Sequence, residues 1–267
     1  MKKIFRKPYR VKRKKSIFRN RFFWLGILIL IIFGGFFYSL IYSSTFQIKE
    51  IKISGNQKVL TENLQDTIQN QIEKKVLFLP TKSIFLANLN KISETILEKF
   101  PQITQINLDR KFPDILIVEI EEREPAAVFC NDNCFFIDKE GIVFEELDPN
   151  VTRKGNVTLK KDIEREINLG EEIIRTEQLS KILEIESQLR ENFKIPIKEV
   201  LIVSDQRVDF KTVEGWEIYF NPQGDLNWQL TKLRVVLEEE IPPENRQNLE
   251  YIELRFGNFA PYKYREQ

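Results

Sequence analysis

The sequence of 267 residues contains no histidine and only two cysteines. Without histidine, no imidazole can act as a general base or as a metal ligand, which excludes a Ser-His-Asp triad. Two cysteines alone cannot complete a structural zinc site, which needs four ligands. The chain also lacks a G-x-S-x-G turn, an S-x-x-K motif and a phosphate-cradling glycine loop. The sequence therefore predicts a protein that is not an enzyme and binds no cofactor or metal ion.

Charge is absent from one stretch of 21 residues, Phe22 to Tyr42. As an α-helix this stretch would be about 32 Å long, enough to cross a bilayer core of roughly 30 Å. Residues 2–21 before it contain eleven Lys and Arg and no acidic residue. By the positive-inside rule, this predicts a basic cytoplasmic tail over residues 1–21 and a transmembrane helix over 22–42. The remaining residues would then lie outside the cytoplasm.

The basic tail and the apolar stretch each have an alternative interpretation. The basic tail could instead be a patch that docks nucleic acid or a partner protein. The apolar stretch could be a signal peptide, although its apolar region would be about 7–15 residues long and residues 42–46 form a weak cleavage signal. After residue 45 the chain carries 30 basic and 40 acidic residues, a net charge of −10. This acidic balance argues against nucleic acid as a partner of the folded part.

The chain that follows predicts the order β-α-α-β-β. Residues 46–53 form a strand with imperfect alternation, which a bulge or kink near Lys49 would reconcile, and Ser54-Gly55-Asn56 ends it. Two strands flank a turn at Phe112-Pro113-Asp114. Apolar residues recur at helical spacing in two segments between these strands: Leu64, Ile68 and Ile72, then Leu89, Ile92, Ile96 and Phe100. A sheet with one face covered by two helices is an α+β arrangement.

Three motifs mark this region: Phe100-Pro101, the hairpin Arg110-Lys111-Phe112-Pro113-Asp114, and the run Glu121-Glu122-Arg123-Glu124-Pro125. Together they resemble motifs of the FtsQ/DivIB family of bacterial cell-division proteins. The resemblance implies a POTRA domain over residues 46–124. The segment from Phe136-Ile137-Asp138 to Val143-Phe144 and the final run Tyr251-Ile252-Glu253-Leu254-Arg255-Phe256 are similar to motifs of the family's β domain.

The resemblance thus implies an FtsQ-type β domain over residues 125–258 and a C-terminal tail over 259–267. The residues themselves predict a strand-rich region with two helices. Strands are expected near 200–203, 207–212 and 216–220, and Asp225 is expected to cap the second helix. Residues 145–170 are polar and show no clear pattern.

The two cysteines, Cys130 and Cys134, flank a predicted hairpin loop at Asn131-Asp132-Asn133. Outside the cytoplasm a disulfide can persist, and hairpin geometry can bring two Cα atoms within the roughly 4.4–6.8 Å that the bond needs. Two free thiols are the alternative, and the spacing alone does not decide between them.

The last predicted strand, residues 251–256, is the candidate binding site. If it lies at the edge of a sheet, its free backbone groups can accept a strand from another chain. If it lies inside the sheet, it serves only the core. The resemblance implies binding of FtsB-like and FtsL-like division proteins there, with Tyr251, Glu253, Arg255 and Phe256 as contact residues. Phe259 and Tyr262 are weaker candidates.

The function predicted from the sequence is a non-enzymatic scaffold of the bacterial division machinery. It would be anchored in the inner membrane at the division septum. Besides FtsB-like and FtsL-like proteins, the expected partners are the lipid bilayer and other membrane division proteins, through the POTRA domain or the transmembrane helix. Two alternatives remain: a POTRA-containing factor for envelope assembly or secretion, and a membrane-anchored cell-wall enzyme.

Overall fold

The computed structural model describes residues 21–76, 78–148 and 156–265. The basic tail predicted over residues 1–21 lies outside these residues, except for Arg21. The chain forms two compact units, each built from separate segments. The first unit comprises residues up to Lys52, Gln65–Ile92 and Leu108–Val118; the second comprises Ile53–Leu64, Ser93–Asn107 and the residues from Glu119 onward. The α+β class, with an N-terminal apolar helix and a strand-rich C-terminal region, is confirmed.

Helix α1 (Arg21–Tyr42) coincides with the uncharged stretch of the sequence. Its side chains are not buried against the rest of the chain, and it is long and apolar enough to cross a membrane. A helix of this kind, left without a protein core around it, needs an apolar solvent.

Residues 50–122 follow the predicted β-α-α-β-β order with one addition. The predicted elements are β1 (Glu50–Ser54), α2 (Thr61–Ile72), α3 (Leu89–Lys99), β4 (Ile103–Lys111) and β5 (Ile115–Glu122), and the sheet order is β1-β5-β4. The addition is a small hairpin between the helices, formed by β2 (Lys74–Val76) and β3 (Leu79–Thr81). The stripe residues Leu64, Ile68, Ile92 and Ile96 are all fully buried, which explains why the helical spacing was informative.

The imperfect alternation of residues 46–53 has a structural cause at Lys49. Before it, the backbone N–H of Ile48 donates to the carbonyl of Lys82, and Ile84 donates to Phe46. At Lys49 the chain changes partner, because its N–H donates to the carbonyl of Asp114. The strand β1 therefore begins at Glu50, and the two phases of the sequence belong to two different pairings.

Nine strands of the second unit form one large sheet in the order β14-β13-β12-β11-β10-β9-β6-β7-β8. In chain order its strands are β6 (Ala127–Cys130), β7 (Cys134–Ile137), β8 (Val143–Glu146), β9 (Thr158–Lys160), β10 (Ile197–Ser204), β11 (Arg207–Thr212), β12 (Glu217–Phe220), β13 (Leu249–Glu253) and β14 (Tyr262–Tyr264).

Strand β9 is an element of the large sheet that the sequence did not predict. It falls within the unpatterned residues 145–170 and pairs in parallel with both β6 and β10. Its three residues give too short an alternation to detect, yet they join the two halves of the sheet. Only Leu159 of β9 is buried.

Two helices complete the second unit, α4 (Thr176–Glu191) and α5 (Leu226–Val235). Helix α4 buries Leu179, Ile182, Ile185 and Leu189. At α5 the carboxylate of Asp225 accepts the N–H of Trp228, so the predicted N-cap is present. A π-helical turn (Val236–Glu240) and a 3-10 helix (Pro243–Asn248) then lead into β13.

Candidate functional site

The predicted binding strand corresponds to β13, but β13 is not the edge of the sheet. It pairs in parallel with β12 on one side and antiparallel with β14 on the other. The expectation of free backbone groups on this strand is therefore corrected. The edge belongs to β14, a strand inside the segment predicted as a tail, because a short turn folds the chain back onto β13.

The backbone of β14 alternates between the inside and the outside of the sheet. The carbonyl of Pro261 accepts the N–H of Glu253, and the N–H of Arg265 donates to the carbonyl of Asn248. Because antiparallel strands alternate in the direction of their backbone groups, Lys263 also faces β13, whereas Tyr262 and Tyr264 direct their N–H and C=O groups away from it. The outer side of β14 thus presents groups that a further strand could bond.

Tyr251, the first predicted contact residue, lies in an aromatic stack. Its ring stacks on that of Tyr219 in β12, with 5.0 Å between centroids. The Arg207 guanidinium lies 4.5 Å from the centroid of Tyr219 and is held there by hydrogen bonds to Asp209. Burial and the Glu217 carboxylate, which accepts the Tyr219 hydroxyl, raise the pKa of Tyr219 well above its ordinary value. This hydroxyl therefore stays protonated near neutral pH.

Glu253 and Arg255 bind each other rather than facing solvent as separate charges. The Nε and Nη2 atoms of Arg255 donate to the two oxygens of Glu253 at 2.9 and 2.6 Å. Only 13% of the Glu253 side chain and 17% of the Arg255 side chain are exposed. The same guanidinium lies 4.7 Å from the ring centroid of Phe256, which is itself exposed. The pair shapes the end of β13, and of these three residues only Phe256 offers a large accessible surface.

Lys232 is a buried cation that the sequence did not single out. Its Nζ donates to the carbonyls of Leu254, Phe256 and Gly257 at 2.7 to 3.2 Å. Burial lowers the pKa of Lys232, and the charge of Glu253 opposes this shift. The three bonds hold the turn between β13 and β14 against helix α5. No local pattern could have identified the residue, because its burial depends on the fold around the turn.

A groove of about 490 Å³ runs beside the β14 edge. Phe259, which is 80% exposed, and Tyr262 line it on one side, and Trp228 and Val235 of α5 line it on the other. Its surface is mostly apolar. A free strand edge next to an apolar groove is the arrangement that proteins use to bind an extended segment of another chain. Of the two weaker candidates from the sequence, Phe259 is therefore more accessible than Tyr251, whereas Tyr262 is half-buried and packs against the core.

The motif Glu121-Glu122-Arg123-Glu124-Pro125 has a different, structural role. The Glu122 carboxylate accepts the backbone N–H groups of Gln57, Lys58 and Val59 at 2.9 to 3.0 Å. Burial would raise the pKa of Glu122, but these hydrogen bonds outweigh it and lower the pKa. Arg123 donates to the carbonyl of Pro101 and pairs with the buried Asp138. Arg123 thus connects three of the motifs that carried the resemblance, and Glu122 fixes the segment of residues 57–59.

The sulfur atoms of Cys130 and Cys134 are bonded to each other, with 4.1 Å between the Cα atoms. The two residues face each other at the ends of β6 and β7. Among the residues that the structure describes, no three His, Cys, Asp or Glu side chains are grouped so as to hold a metal ion.

Comparison with known proteins gives one family and several relatives. The family model described as "POTRA domain, FtsQ-type" matches residues 46–123. The chain is 32% identical to the cell division protein DivIB of Clostridium acetobutylicum over 38% of the chain and 37% of that protein. It is 23% identical to DivIB of Clostridium tetani over 73% of the chain and 72% of that protein.

A third relative, the cell division protein FtsQ of Syntrophotalea carbinolica, is 28% identical over 40% of the chain and 34% of that protein. Two of these three alignments therefore span little more than a third of the relative. In this chain, the residues that the family model matches carry the β-α-α-β-β order, and the apolar helix α1 precedes them. The chain therefore carries an FtsQ-type POTRA domain, and the relatives it resembles are DivIB and FtsQ cell-division proteins.

Proposed function

We propose that this protein is a non-enzymatic scaffold of the bacterial division machinery, anchored by α1 in the inner membrane at the septum. Its basic N-terminal tail would be cytoplasmic and its folded residues extracytoplasmic. Its domains would be the POTRA domain over residues 46–124 and the β domain from residue 125 onward. The relatives are named as cell division proteins, and α1 suits a membrane anchor, which supports this assignment.

The partner-binding site is the outer edge of β14. A segment of an FtsB-like protein, delivered with its FtsL-like companion, would add as a tenth strand and bond the outward groups of Tyr262 and Tyr264. The observation that supports this site is the end position of β14 in the sheet. Apolar side chains flanking the added strand would enter the groove beside Phe259. Tyr251, Glu253 and Arg255 would then support β14 from behind, and Phe256 would contribute directly.

This arrangement also determines which substitution can test the proposed binding edge. Charge reversal at Arg255 would place two carboxylates side by side at a nearly buried position, so lost binding could reflect a damaged fold. The change Tyr264→Pro instead removes one outward N–H and leaves the inward bonds of β14 in place. Tyr264→Ala is the matched control, because it removes the same side chain and keeps the N–H.

The experiment is a pull-down of the purified FtsB-like and FtsL-like pair by the full-length protein in detergent. We expect Tyr264→Pro to lose capture by more than about tenfold, since it removes a strand-pairing bond and blocks the edge, while Tyr264→Ala keeps most of it. Equal capture by both variants would refute strand addition at this edge. Depletion in cells adds a second readout: filamentation is expected, whereas normal septation with altered outer-membrane content would favour an envelope-assembly factor.

A further inference from the structure

The first unit carries large apolar side chains that are exposed to solvent outside α1. Phe78 is 97% exposed, Phe112 57% and Phe85 42%. The ring of Phe85 lies between those of Phe46 and Phe112, with 5.3 Å between centroids on each side. Single exposed hydrophobic residues are common, but a continuous row of aromatic rings on a surface usually marks a contact.

The same part of the unit is hydrogen-bonded to the last turn of α1. Thr81 Oγ1 donates to the carbonyl of Ile41 at 2.6 Å, and Ser83 Oγ donates to the carbonyl of Leu40 at 2.9 Å. The hydroxyl of Tyr42 donates to the carbonyl of Val76. These bonds satisfy carbonyls that a helix end otherwise leaves without partners. They also hold β2 and β3 close to the point where α1 ends.

This attachment limits how far the aromatic residues can lie from the bilayer. Phe78 is two residues from Val76, and Phe85 is two residues from Ser83; two extended residues span about 7 Å. The headgroup region of each leaflet is itself roughly 5–8 Å thick. If α1 spans the membrane with its C-terminal end at the bilayer surface, these rings lie at the depth of the lipid headgroups. Aromatic side chains are enriched at this depth.

The charge of the first unit is also suited to contact with a membrane surface. Residues 43–52, 65–92 and 108–118 contain eight Lys and Arg against five Asp and Glu, although the chain after residue 45 is acidic overall. Lys75 and Lys111 are exposed and stand next to the hairpin and to Phe112; within the described residues neither forms an ion pair. Exposed lysines beside apolar rings match lipid phosphates above acyl chains.

We infer that the first unit binds the bilayer surface directly, with Phe78, Phe85 and Phe112 in the interfacial layer and Lys75 and Lys111 at the phosphates of anionic phospholipids. This surface is a second lipid contact in addition to the transmembrane helix. This contact would restrict rocking of the folded part of the first unit about the C-terminal end of α1. The inference rests on the proposed anchoring of α1 in a membrane.

The test uses the full-length protein in vesicles of phosphatidylethanolamine and phosphatidylglycerol, with no other protein present. A spin label is attached, without reductant, to Phe78→Cys or to Phe85→Cys, and its collisions with oxygen in lipid and with a nickel complex in water are measured. We expect the ratio of oxygen to nickel collisions to be several-fold higher than at Val213→Cys, an exposed apolar position of the second unit.

A label at Leu30→Cys in α1 separates the two possible failures. If this label is lipid-buried while those at positions 78 and 85 are fully accessible to nickel, the membrane anchor stands and the inferred surface is refuted. If the Leu30→Cys label is also accessible to nickel, the anchoring itself fails, and with it the inference. A Val213→Cys label as deep as the others would indicate general adsorption and overturn the assignment. A shallower depth in phosphatidylcholine vesicles would support the role of Lys75 and Lys111.

Discussion

The two edges of the nine-stranded sheet differ in whether another segment of the chain hydrogen-bonds to them. The chain itself covers the beginning of the β8 edge: Val143 exchanges hydrogen bonds with Glu171 and Gly170, and just before the strand the N–H of Ile173 donates to the carbonyl of Gly141. At the other edge, no strand among the described residues pairs with the outer side of β14. Since exposed strand edges attract further strands, proteins usually shield them. Of the two edges, the β14 edge, which is open and lies beside an apolar groove, is therefore the better candidate for binding another chain.

The two edges are also stabilised by different means. Near β8, the hairpin of β6 and β7 carries the Cys130–Cys134 bond, and backbone pairing closes the ladder. Near β14, the side chain of Lys232 holds the turn that brings the edge strand into place. One end is therefore closed by the backbone itself, while the other depends on a specific tertiary contact.

The largest expected effect comes from opening the closed edge with Gly141→Ala. Gly141 has φ of +80°, and a Cβ there would lie 1.9 Å from the carbonyl oxygen of Ile174. The covering segment would have to move, so we expect the free energy of unfolding in urea to fall by about 3 kcal/mol. Exposure of β8 should also cause association, seen as a larger species in size-exclusion chromatography.

Gly170→Ala is the matched control for this change. Gly170 has a similar φ of +90°, but a Cβ there would meet nothing within 4 Å. Only the backbone strain remains, which should cost about 1 kcal/mol without association. If both variants lost the same stability and both stayed monomeric, the covering segment would have no role in closing the edge.

The second effect comes from loosening the open edge with Lys232→Met. Three backbone carbonyls would lose their donor, and one of them, that of Leu254, belongs to a fully buried residue. We expect a loss of about 2–3 kcal/mol in urea denaturation. Lys263→Met breaks a pair with Glu250 that is exposed to solvent and should leave the free energy of unfolding nearly unchanged. Equal losses in the two variants would contradict the role assigned to Lys232.

The smallest effect is expected from the disulfide. The bond closes a loop with a sequence separation of 4, and so short a loop leaves little chain entropy to remove. Replacing both Cys130 and Cys134 by Ser should lower the free energy of unfolding by at most about 2 kcal/mol. Ellman titration of the unfolded, non-reduced protein should find no free thiol, and two titratable thiols would show that the bond does not form.

Local sequence patterns predicted the structure correctly where it depends on the residues of one element alone. The uncharged stretch predicted α1, helical spacing predicted α2 and α3, and Asp225 was correctly identified as a cap. Strand β9 could not be predicted, since three residues between polar segments become a strand only when β6 and β10 are both beside them. The hairpin of β2 and β3 was missed for the same reason, as each strand depends on the other.

At the candidate site, too, some features follow from the local sequence and others from the tertiary structure. The sequence alone determined that a strand lies in this region, because Ile252 and Leu254 alternate with polar neighbours and are buried. It placed the strand over residues 251–256, whereas β13 ends at Glu253 and the next three residues begin the turn. Only the tertiary structure decided that β14 pairs with the outer side of this strand. It also decided that Arg255 forms an ion pair with Glu253 and that Lys232 holds the turn. An alternating pattern specifies which face of a strand is buried, whereas its position in the sheet depends on residues far away in the chain.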